Sequence, residues 1–191
     1  MSFGQSVESA SVQAMGHAKL ILMVCRGNIS RSPVAAIILQ RKLAEHGLDG
    51  GYSVASRGTQ GVAPDDLEPV KFPNITYYGD FYENSKSWLH EHSIDLSSHT
   101  SRPIDHDIVR KASVIFAMDR KTIQALAMLF PEEVHKTHLL AEIIAEHEEV
   151  IDPEEVPERV KVEQILSSME SMITTGLPTL LAIADGKTQR H

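Results

Sequence analysis

Cysteine is almost absent from the 191-residue chain, which contains only Cys25. A single thiol cannot form an intrachain disulfide, and chains without disulfides are typical of reducing compartments, so we expect a cytoplasmic protein. Long apolar runs are missing as well: the run near the front covers only residues 20–25, far short of the roughly 18 residues that a membrane span needs. No charged segment leads into an apolar run, and a secretory signal is therefore not expected.

Basic residues are also fewer than acidic ones. The 18 Lys and Arg residues face 26 Asp and Glu residues, for a net charge of −8, and eight of the acids lie between Glu142 and Glu158 with no base among them. Nucleic-acid binding needs clustered Lys and Arg against phosphates, so no nucleic-acid partner and no membrane partner are expected. The acidic run is interpreted as a solvated face. The remaining composition, 42% hydrophobic and 23% charged, is that of an ordinary globular chain.

Compact apolar runs, typical of buried strands, alternate along the chain with segments of helical spacing. The predicted strands cover residues 19–24, 52–56, 113–118 and 137–140. The predicted helices begin at Pro33, Thr122 and Glu158, and we expect the last helix to break at Gly176 and Pro178. Strands that alternate with helices predict an α/β fold, a three-layer sandwich in which a four-stranded parallel sheet carries helices on both faces.

The pattern leaves room for one domain, over residues 19–186, preceded by a flexible N-terminal arm over residues 1–18. Within the domain, residues 60–88 depart from this alternation of strands and helices, and they hold three of the nine prolines and six of the ten aromatic residues. Long loops in compact domains are often functional. This enlarged loop is therefore either a surface insertion with its own apolar cluster or a wall that contacts the substrate.

The most informative stretch follows the first predicted strand and reads V-C-R-G-N-I-S-R-S-P over residues 24–33. Between a buried strand and a helix, the loop N–H groups and the helix N-terminus converge on one point and favour an anion. Gly27 and Asn28 tolerate the left-handed backbone that turns amides inward. Ser32 and Pro33 suit the start of a helix. The local sequence therefore predicts an oxyanion cradle.

The side chains around this cradle predict thiol chemistry. Arg31 follows Cys25 by six positions, and its planar guanidinium fits two phosphoryl oxygens at once. A cradle of amides and a cation both stabilise the charged thiolate, which is the nucleophilic form of the side chain. We interpret Cys25, the loop amides and Arg31 as one device that holds a phosphoryl group while the sulfur attacks phosphorus.

This stretch resembles the phosphate-binding loop of the low-molecular-weight protein tyrosine phosphatases, in which a Cys is followed by five residues, an Arg and then a Ser or Thr. Other segments resemble the family too: S-R-G-T at 56–59, I-D-L with His99 and Arg102 at 94–102, A-M-D at 117–119, and Asp152-Pro153 late in the chain. The resemblance covers roughly residues 19–175.

The resemblance implies a role for each matching residue. Cys25 would be the nucleophile that forms a phosphocysteine, Arg31 would bind the transferring phosphoryl group, and Ser32 would hydrogen-bond the sulfur. Asp152 would protonate the leaving oxygen and then activate water. The loop residues that would bind phosphate are Arg26, Gly27, Asn28, Ile29 and Ser30, and the residues that would support the loop are Ser56 and His99.

The activity implied is phosphomonoester hydrolysis, most directly of phosphotyrosine, with a phosphorylated protein or a small aryl phosphate as substrate and inorganic phosphate or sulfate able to occupy the loop. No cofactor and no metal are expected, because Arg31 and the loop amides supply the charge stabilisation. The histidine pairs at 90 and 92 and at 135 and 138 lie near no cysteine and are interpreted as solvated residues rather than metal ligands. The sequence does not indicate an oligomeric state.

The chain departs from the family pattern at two positions and carries an additional cation in the loop. Ser30 stands where many members have a second cysteine, so no disulfide can protect Cys25, and oxidation is expected to give a glutathione adduct or a sulfinic acid. Glu154 stands where an aromatic residue usually flanks the substrate ring, and the aromatic residues of 60–88 could supply that wall. Arg26 adds a cation that could favour a polyanionic substrate or pair with the acidic run.

Two other functions remain open at this point. One is a non-catalytic module that binds phosphate or a phosphopeptide. The other is a single-cysteine arsenate reductase that recruits an external thiol.

Overall fold

The computed structural model describes residues 18–144, 149–151 and 158–187, so the predicted N-terminal arm, apart from Ala18, lies outside the described residues. The elements in chain order are β1 Lys19–Cys25, α1 Arg31–Glu45, β2 Tyr52–Gly58, α2 Gly79–Glu91, α3 His106–Lys111, β3 Ala112–Ala117, α4 Arg120–Leu129, β4 Thr137–Leu139 and α5 Arg159–Ala184. Short 3₁₀ turns cover Ile75–Tyr77, Pro131–Lys136 and Leu140–Ile144. Among the described residues, no helix combines the length and the apolarity that a membrane span requires.

The sheet is parallel throughout, with its strands in the order β2-β1-β3-β4. At the carboxyl edge Cys25 of β1 lies beside Gly58 of β2, and Val24 lies beside Ala117 of β3. The chain changes direction across the sheet at β1, whose two neighbours are the second and third strands. Open parallel sheets bind ligands beyond their carboxyl ends at such a switch point. The topology thus places the loop after β1 where a ligand is expected.

Alternate residues of β1 belong to two separate apolar cores. Ile21, Met23 and Cys25 face the larger core, which is completed by α1, α2 and α5. Leu22 and Val24 face the smaller core, which is completed by α3 and α4. A strand that is covered on both faces needs apolar residues at every position, which is why β1 reads as one continuous apolar run. The predicted sandwich, with helices on both faces of a four-stranded parallel sheet, is confirmed.

The last helix differs from the prediction. We expected a break at Gly176 and Pro178, whereas α5 continues through both, with Pro178 inside the helix. A proline inside a helix costs about 3 kcal/mol, but Leu177 and Leu180 are buried in the larger core, and this burial holds the helix together. Gly176 has a packing role: a Cβ atom there would lie only 2.4 Å from Cγ1 of Ile143.

The predicted loop over 60–88 also needs correction, because its second half is helical. From Gly79 the chain forms α2, whose buried residues recur at helical spacing and are Phe81, Ser85, Trp88 and Leu89. The indole Nε1 of Trp88 donates to Oγ of Ser167 on α5 at 2.8 Å. Polar residues between these positions obscure the helical pattern in the sequence. Packing against α5 stabilises the helix, and the local pattern alone does not indicate this.

Candidate active site

Cys25 is the last residue of β1, and its side chain is only 3% exposed. The N–H of Asn28 donates to the sulfur at 3.2 Å, and Oγ of Ser32 lies 3.1 Å from it, within hydrogen-bond distance. Ser32 belongs to the first turn of α1. The sulfur is therefore surrounded by a loop amide and a helix-terminal hydroxyl, as the sequence predicts for an anion cradle.

Asn28 is fully buried and has a left-handed backbone with φ of 53°. Its Nδ2 group donates to Oγ of Ser32 and to Oγ of Ser56, each at 2.9 Å. Its Oδ1 accepts from the backbone N–H of Arg102 at 3.0 Å. One side chain thus joins the loop to α1, to β2 and to the segment that precedes α3. The hydrogen bond to Ser56 is consistent with the supporting role predicted for that residue.

The carbonyls of the loop are held from outside. A ring nitrogen of His99, Nε2, lies 2.8 Å from the Asn28 carbonyl oxygen, and Oγ of Ser101 donates to the Gly27 carbonyl at 2.7 Å. Burial lowers the pKa of His99, and the charge of Arg102 lowers it further, while the contact with Asn28 opposes both effects. A neutral ring with its proton on Nε2 can donate to this carbonyl, so His99 helps to fix the peptide orientation of the loop.

Gly58 allows β2 to end directly beside the loop. A Cβ atom at this position would lie 2.7 Å from the Arg26 carbonyl oxygen and 3.1 Å from Cβ of Asn28. Just after it, the N–H of Thr59 donates to the Cys25 carbonyl at 3.2 Å and that of Gln60 donates to the Arg26 carbonyl at 2.9 Å. Any larger residue at 58 would push the loop away from its support.

Arg31 opens α1 and is 3% exposed. Its Nη1 donates to Oδ2 of Asp119 at 2.6 Å and to the Val150 carbonyl at 2.9 Å. The other oxygen of Asp119, Oδ1, accepts from the N–H of Thr122 at 2.7 Å and so caps α4. One carboxylate therefore caps α4 and anchors the buried guanidinium.

Asp119 was not among the predicted site residues, although a signal for it exists. It comes two residues after the end of β3, at the same edge of the sheet as Cys25. Charged residues that follow adjacent parallel strands meet at one edge.

Arg26 pairs with an acid that the sequence did not single out. Its Nε and Nη2 donate to the two carboxylate oxygens of Asp66 at 2.7 and 3.1 Å. Asp66 belongs to the segment 60–88 and not to the acidic run. The phosphate-binding role predicted for Arg26 stays a prediction, while its guanidinium takes part in a two-bond ion pair.

Two cavities meet at this edge of the sheet. The smaller, about 30 Å³, lies over the sulfur and is lined by Cys25, Arg26, Gly27, Ile29, Ser30, Arg31, Gln60, Tyr78 and Phe81. The larger, about 570 Å³, is lined by thirteen residues that include Asp65, Asp66, Asp119, Lys121 and Glu149. Arg26 and Arg31 line both cavities and thus stand between them.

The structure brings together all the predicted site residues that it describes. The loop from Arg26 to Ser30 lies around the sulfur, with Arg31 and Ser32 at its end and Ser56 and His99 behind it. Asp152 lies outside the described residues. No group of three or more metal-ligating side chains occurs among the residues that the structure describes.

Comparison with known proteins identifies a family and several relatives. The family described as "Low molecular weight phosphotyrosine protein phosphatase" matches residues 20–184. The low molecular weight protein-tyrosine-phosphatase Etp of Escherichia coli K12 is 30% identical over 133 residues, 70% of this chain and 76% of the relative. The probable phosphatase EpsP of Ralstonia nicotianae is 27% identical over 135 residues, 71% of this chain and 78% of the relative.

Solved structures share the fold. A YwlE mutant from Bacillus subtilis superposes with a TM-score of 0.68 at 25% identity, over 86% of this chain and 99% of that one. The YwlE arginine phosphatase from Geobacillus stearothermophilus gives a TM-score of 0.65 at 22% identity, over 91% and 99% of the two chains. With the family matched over almost the whole of the described part, the chain belongs to the low-molecular-weight phosphotyrosine protein phosphatases.

Proposed function

We propose that this protein hydrolyses phosphomonoesters, most directly phosphotyrosine, through a phosphocysteine formed on Cys25. The observation that carries the proposal is the setting of the sulfur, 3.2 Å from the Asn28 nitrogen and 3.1 Å from Oγ of Ser32 in a loop that ends at Arg31. Donors directed at a sulfur stabilise its thiolate, which is the form that attacks phosphorus.

In the first step the sulfur attacks phosphorus, an S–P bond forms, and the bond from phosphorus to the leaving oxygen breaks. The leaving oxygen keeps the electron pair and needs a proton, which the family resemblance assigns to Asp152. A positioned acid contributes roughly 10²–10⁴-fold to such a step. Ile151, the residue before Asp152, lines the larger cavity.

In the second step a water molecule attacks phosphorus, the S–P bond breaks, and the sulfur departs as a thiolate. The carboxylate of Asp152 accepts the proton of the water, so that inorganic phosphate leaves and the enzyme returns to its first state. The hydroxyl of Ser32, 3.1 Å from the sulfur, can donate to the departing thiolate. The same contact thus serves both steps.

The buried Arg31 supplies the cation that the phosphoryl group needs. Its Nη1 is fixed by Asp119 and by the Val150 carbonyl. A cation that is already oriented stabilises developing charge without a reorganisation cost at the moment of reaction.

An aromatic leaving group is supported by the walls of the smaller cavity. Ile29, Tyr78 and Phe81 give it an apolar lining beside the sulfur, and aromatic and aliphatic walls favour a flat ring. Tyr78 and Phe81 belong to the segment that the sequence analysis considered as a substitute for the aromatic residue missing at 154.

The test is steady-state turnover of p-nitrophenyl phosphate and of a poorer leaving group, phenyl phosphate. We expect Cys25→Ser to abolish both activities and Asp152→Asn to lower kcat for phenyl phosphate by about 10²-fold or more, with a smaller effect on p-nitrophenyl phosphate. Equal effects on both substrates would contradict the role of Asp152. Tight binding of phosphate without turnover would point instead to a binding module, and arsenate-dependent thiol oxidation would point to a reductase.

A second candidate substrate is phosphoarginine. The observation in its favour is the larger cavity beside the loop, where the exposed Asp65 could face a guanidinium, whereas Asp66, Asp119 and Glu149 are each paired with an arginine. One structural neighbour is named an arginine phosphatase. Turnover of phosphoarginine at a higher kcat/KM than phosphotyrosine would favour this candidate, and a lower value would favour the phosphotyrosine assignment.

A further inference from the structure

The main chain at Gln60 is fixed beside the catalytic loop. The N–H of Gln60 donates to the Arg26 carbonyl at 2.9 Å, and the N–H of Thr59 donates to the Cys25 carbonyl at 3.2 Å. These two bonds tie the segment after β2 to the first residues of the loop. Gln60 therefore has a defined position relative to the nucleophile.

The side chain of Gln60 lies against the same loop. It lines the small cavity over Cys25, and a Cβ atom placed on Gly27 would lie 3.6 Å from its Oε1. The residue is partly buried, and its side-chain amide makes no hydrogen bond with any residue that the structure describes. The amide thus offers one acceptor and two donors to a molecule in the cavity.

The residues that line this cavity form two groups. Six belong to the loop that runs from Cys25 to Arg31, and the other three, Gln60, Tyr78 and Phe81, come from outside the loop. Because the loop surrounds the sulfur, the three outer residues are placed to contact what lies on the far side of a bound phosphoryl group. Two of them present aromatic rings, and only Gln60 carries an amide.

The second step of the proposed reaction brings a water molecule to that far side. Attacking and leaving atoms lie roughly in line at phosphorus, so the water must stand opposite the sulfur, where the first leaving oxygen stood. The water oxygen forms a bond to phosphorus, and the S–P bond breaks with its electron pair on the sulfur. The proton of the water passes to the carboxylate that the proposed function assigns to Asp152. A second hydrogen bond would fix the orientation of the water, which favours attack.

We propose that the side-chain amide of Gln60 binds this water, with Oε1 accepting one of its hydrogens, and orients it for attack on the phosphocysteine. This inference rests on the proposed function, because it concerns the second step at the same site. In the first step the sulfur attacks and no water takes part. The two steps should therefore respond differently to loss of the amide.

The test measures the two steps separately in single-turnover reactions with p-nitrophenyl phosphate. Release of p-nitrophenol reports formation of the phosphocysteine, and release of inorganic phosphate reports its hydrolysis. Gln60→Leu removes the amide and keeps a side chain of similar size. We expect the rate of formation to stay within about threefold of the wild type and the rate of hydrolysis to fall about tenfold, the effect of one hydrogen bond on a rate. Phosphorylated Cys25 should then accumulate and be detected by mass spectrometry of the quenched enzyme.

A second readout separates loss of water orientation from damage to the loop. When hydrolysis of a common intermediate limits turnover, kcat does not depend on the leaving group. Gln60→Leu should therefore give equal kcat values with p-nitrophenyl and 4-methylumbelliferyl phosphate, whereas a distorted loop would slow both steps. Gln40→Leu is the matched control, since Gln40 is an exposed residue of α1 and lines neither cavity.

Three results would overturn the inference: equal slowing of both steps in Gln60→Leu, hydrolysis at the wild-type rate, or a larger effect of Tyr78→Phe than of Gln60→Leu on hydrolysis. If the wild type forms a phosphocysteine and Gln60→Leu hydrolyses it at the wild-type rate, the proposed function stands and the role of Gln60 fails. If Cys25→Ser keeps the activity and no phosphocysteine forms in any variant, both fail.

Discussion

At the scale of single residues, Asn28 combines two properties that few side chains share. It adopts a left-handed backbone, and its amide offers two donors and one acceptor to three different parts of the structure. Glycine would supply only the conformation, and most polar residues would supply only the bonds. The loop around the sulfur therefore depends on this residue type for its shape.

We expect Asn28→Asp to lower kcat by about 10²-fold or more while the protein still folds. Aspartate tolerates the same backbone conformation, but it loses both donors and places a carboxylate beside the site of the phosphoryl anion. A lost buried hydrogen bond costs about 1–3 kcal/mol, so thermal unfolding should be followed together with turnover. Ser56→Ala, which removes only one acceptor of Asn28, is the milder companion. A fully active Asn28→Asp protein would contradict this role.

At the scale of elements, the N-terminus of α4 is linked to the catalytic loop through one carboxylate. Asp119 caps the helix with Oδ1 and holds Arg31 with Oδ2. The helix and the guanidinium are therefore positioned together, and Asp119 acts as a positioning residue for Arg31 rather than as a group in contact with phosphorus.

Replacement of Asp119 by Asn should separate its two functions. Asparagine still caps a helix well, so we expect the unfolding temperature to change little, while the Ki of inorganic phosphate rises and kcat/KM falls by about tenfold because Arg31 loses its charged anchor. Asp105→Asn is the matched control, since Asp105 caps α3 through the N–H of Ile108 and lines neither cavity. Equal losses of activity in both variants would indicate a general effect of capping.

The elements show which features the sequence could predict. The strands β1 and β3 lie within one or two residues of their predicted bounds, because strands buried on both faces produce unbroken apolar runs. The prediction fails for α2, which was expected to be a loop, and for α5, which was expected to break at Gly176 and Pro178. Packing of the two helices against each other and against the core decides both cases. The loop from Cys25 to Ser32 was predictable from local sequence, whereas Asp66 and Asp119 reach it only through the tertiary fold.

At the scale of the whole molecule, Asp185 ties the end of α5 to the start of the sheet. Its carboxylate accepts from Nζ of Lys19 at 2.7 Å, from the hydroxyl of Tyr52 at 2.8 Å and from Nζ of Lys187 at 2.7 Å. These bonds hold the pKa of Asp185 well below its usual range, and the bond from Lys187 has the largest effect. His99 supports the opposite, carboxyl edge of the sheet, and burial lowers its pKa.

Both shifts predict a protein that loses stability in acid. A lowered pKa of His99 means that the unfolded chain binds the proton more readily, so stability declines as the pH falls below about 6.5. Asp185 adds a second decline as the pH falls below about 4. Urea unfolding at a series of pH values should show both phases, with the first reduced in His99→Gln and the second reduced in Asp185→Asn. Stability that is constant from pH 7 to 5 would contradict the first assignment.

The solitary thiol of the chain gives the whole molecule a built-in reporter. Because Cys25 is the one cysteine of the chain, a thiol-alkylating reagent can label only this thiol. Each mole of label incorporated therefore counts one catalytic centre. The negatively charged iodoacetate and the neutral iodoacetamide differ chiefly in charge, so their relative rates of labelling measure the local electric field of the cradle. Competent sites can thus be titrated in any preparation before its natural substrate is known.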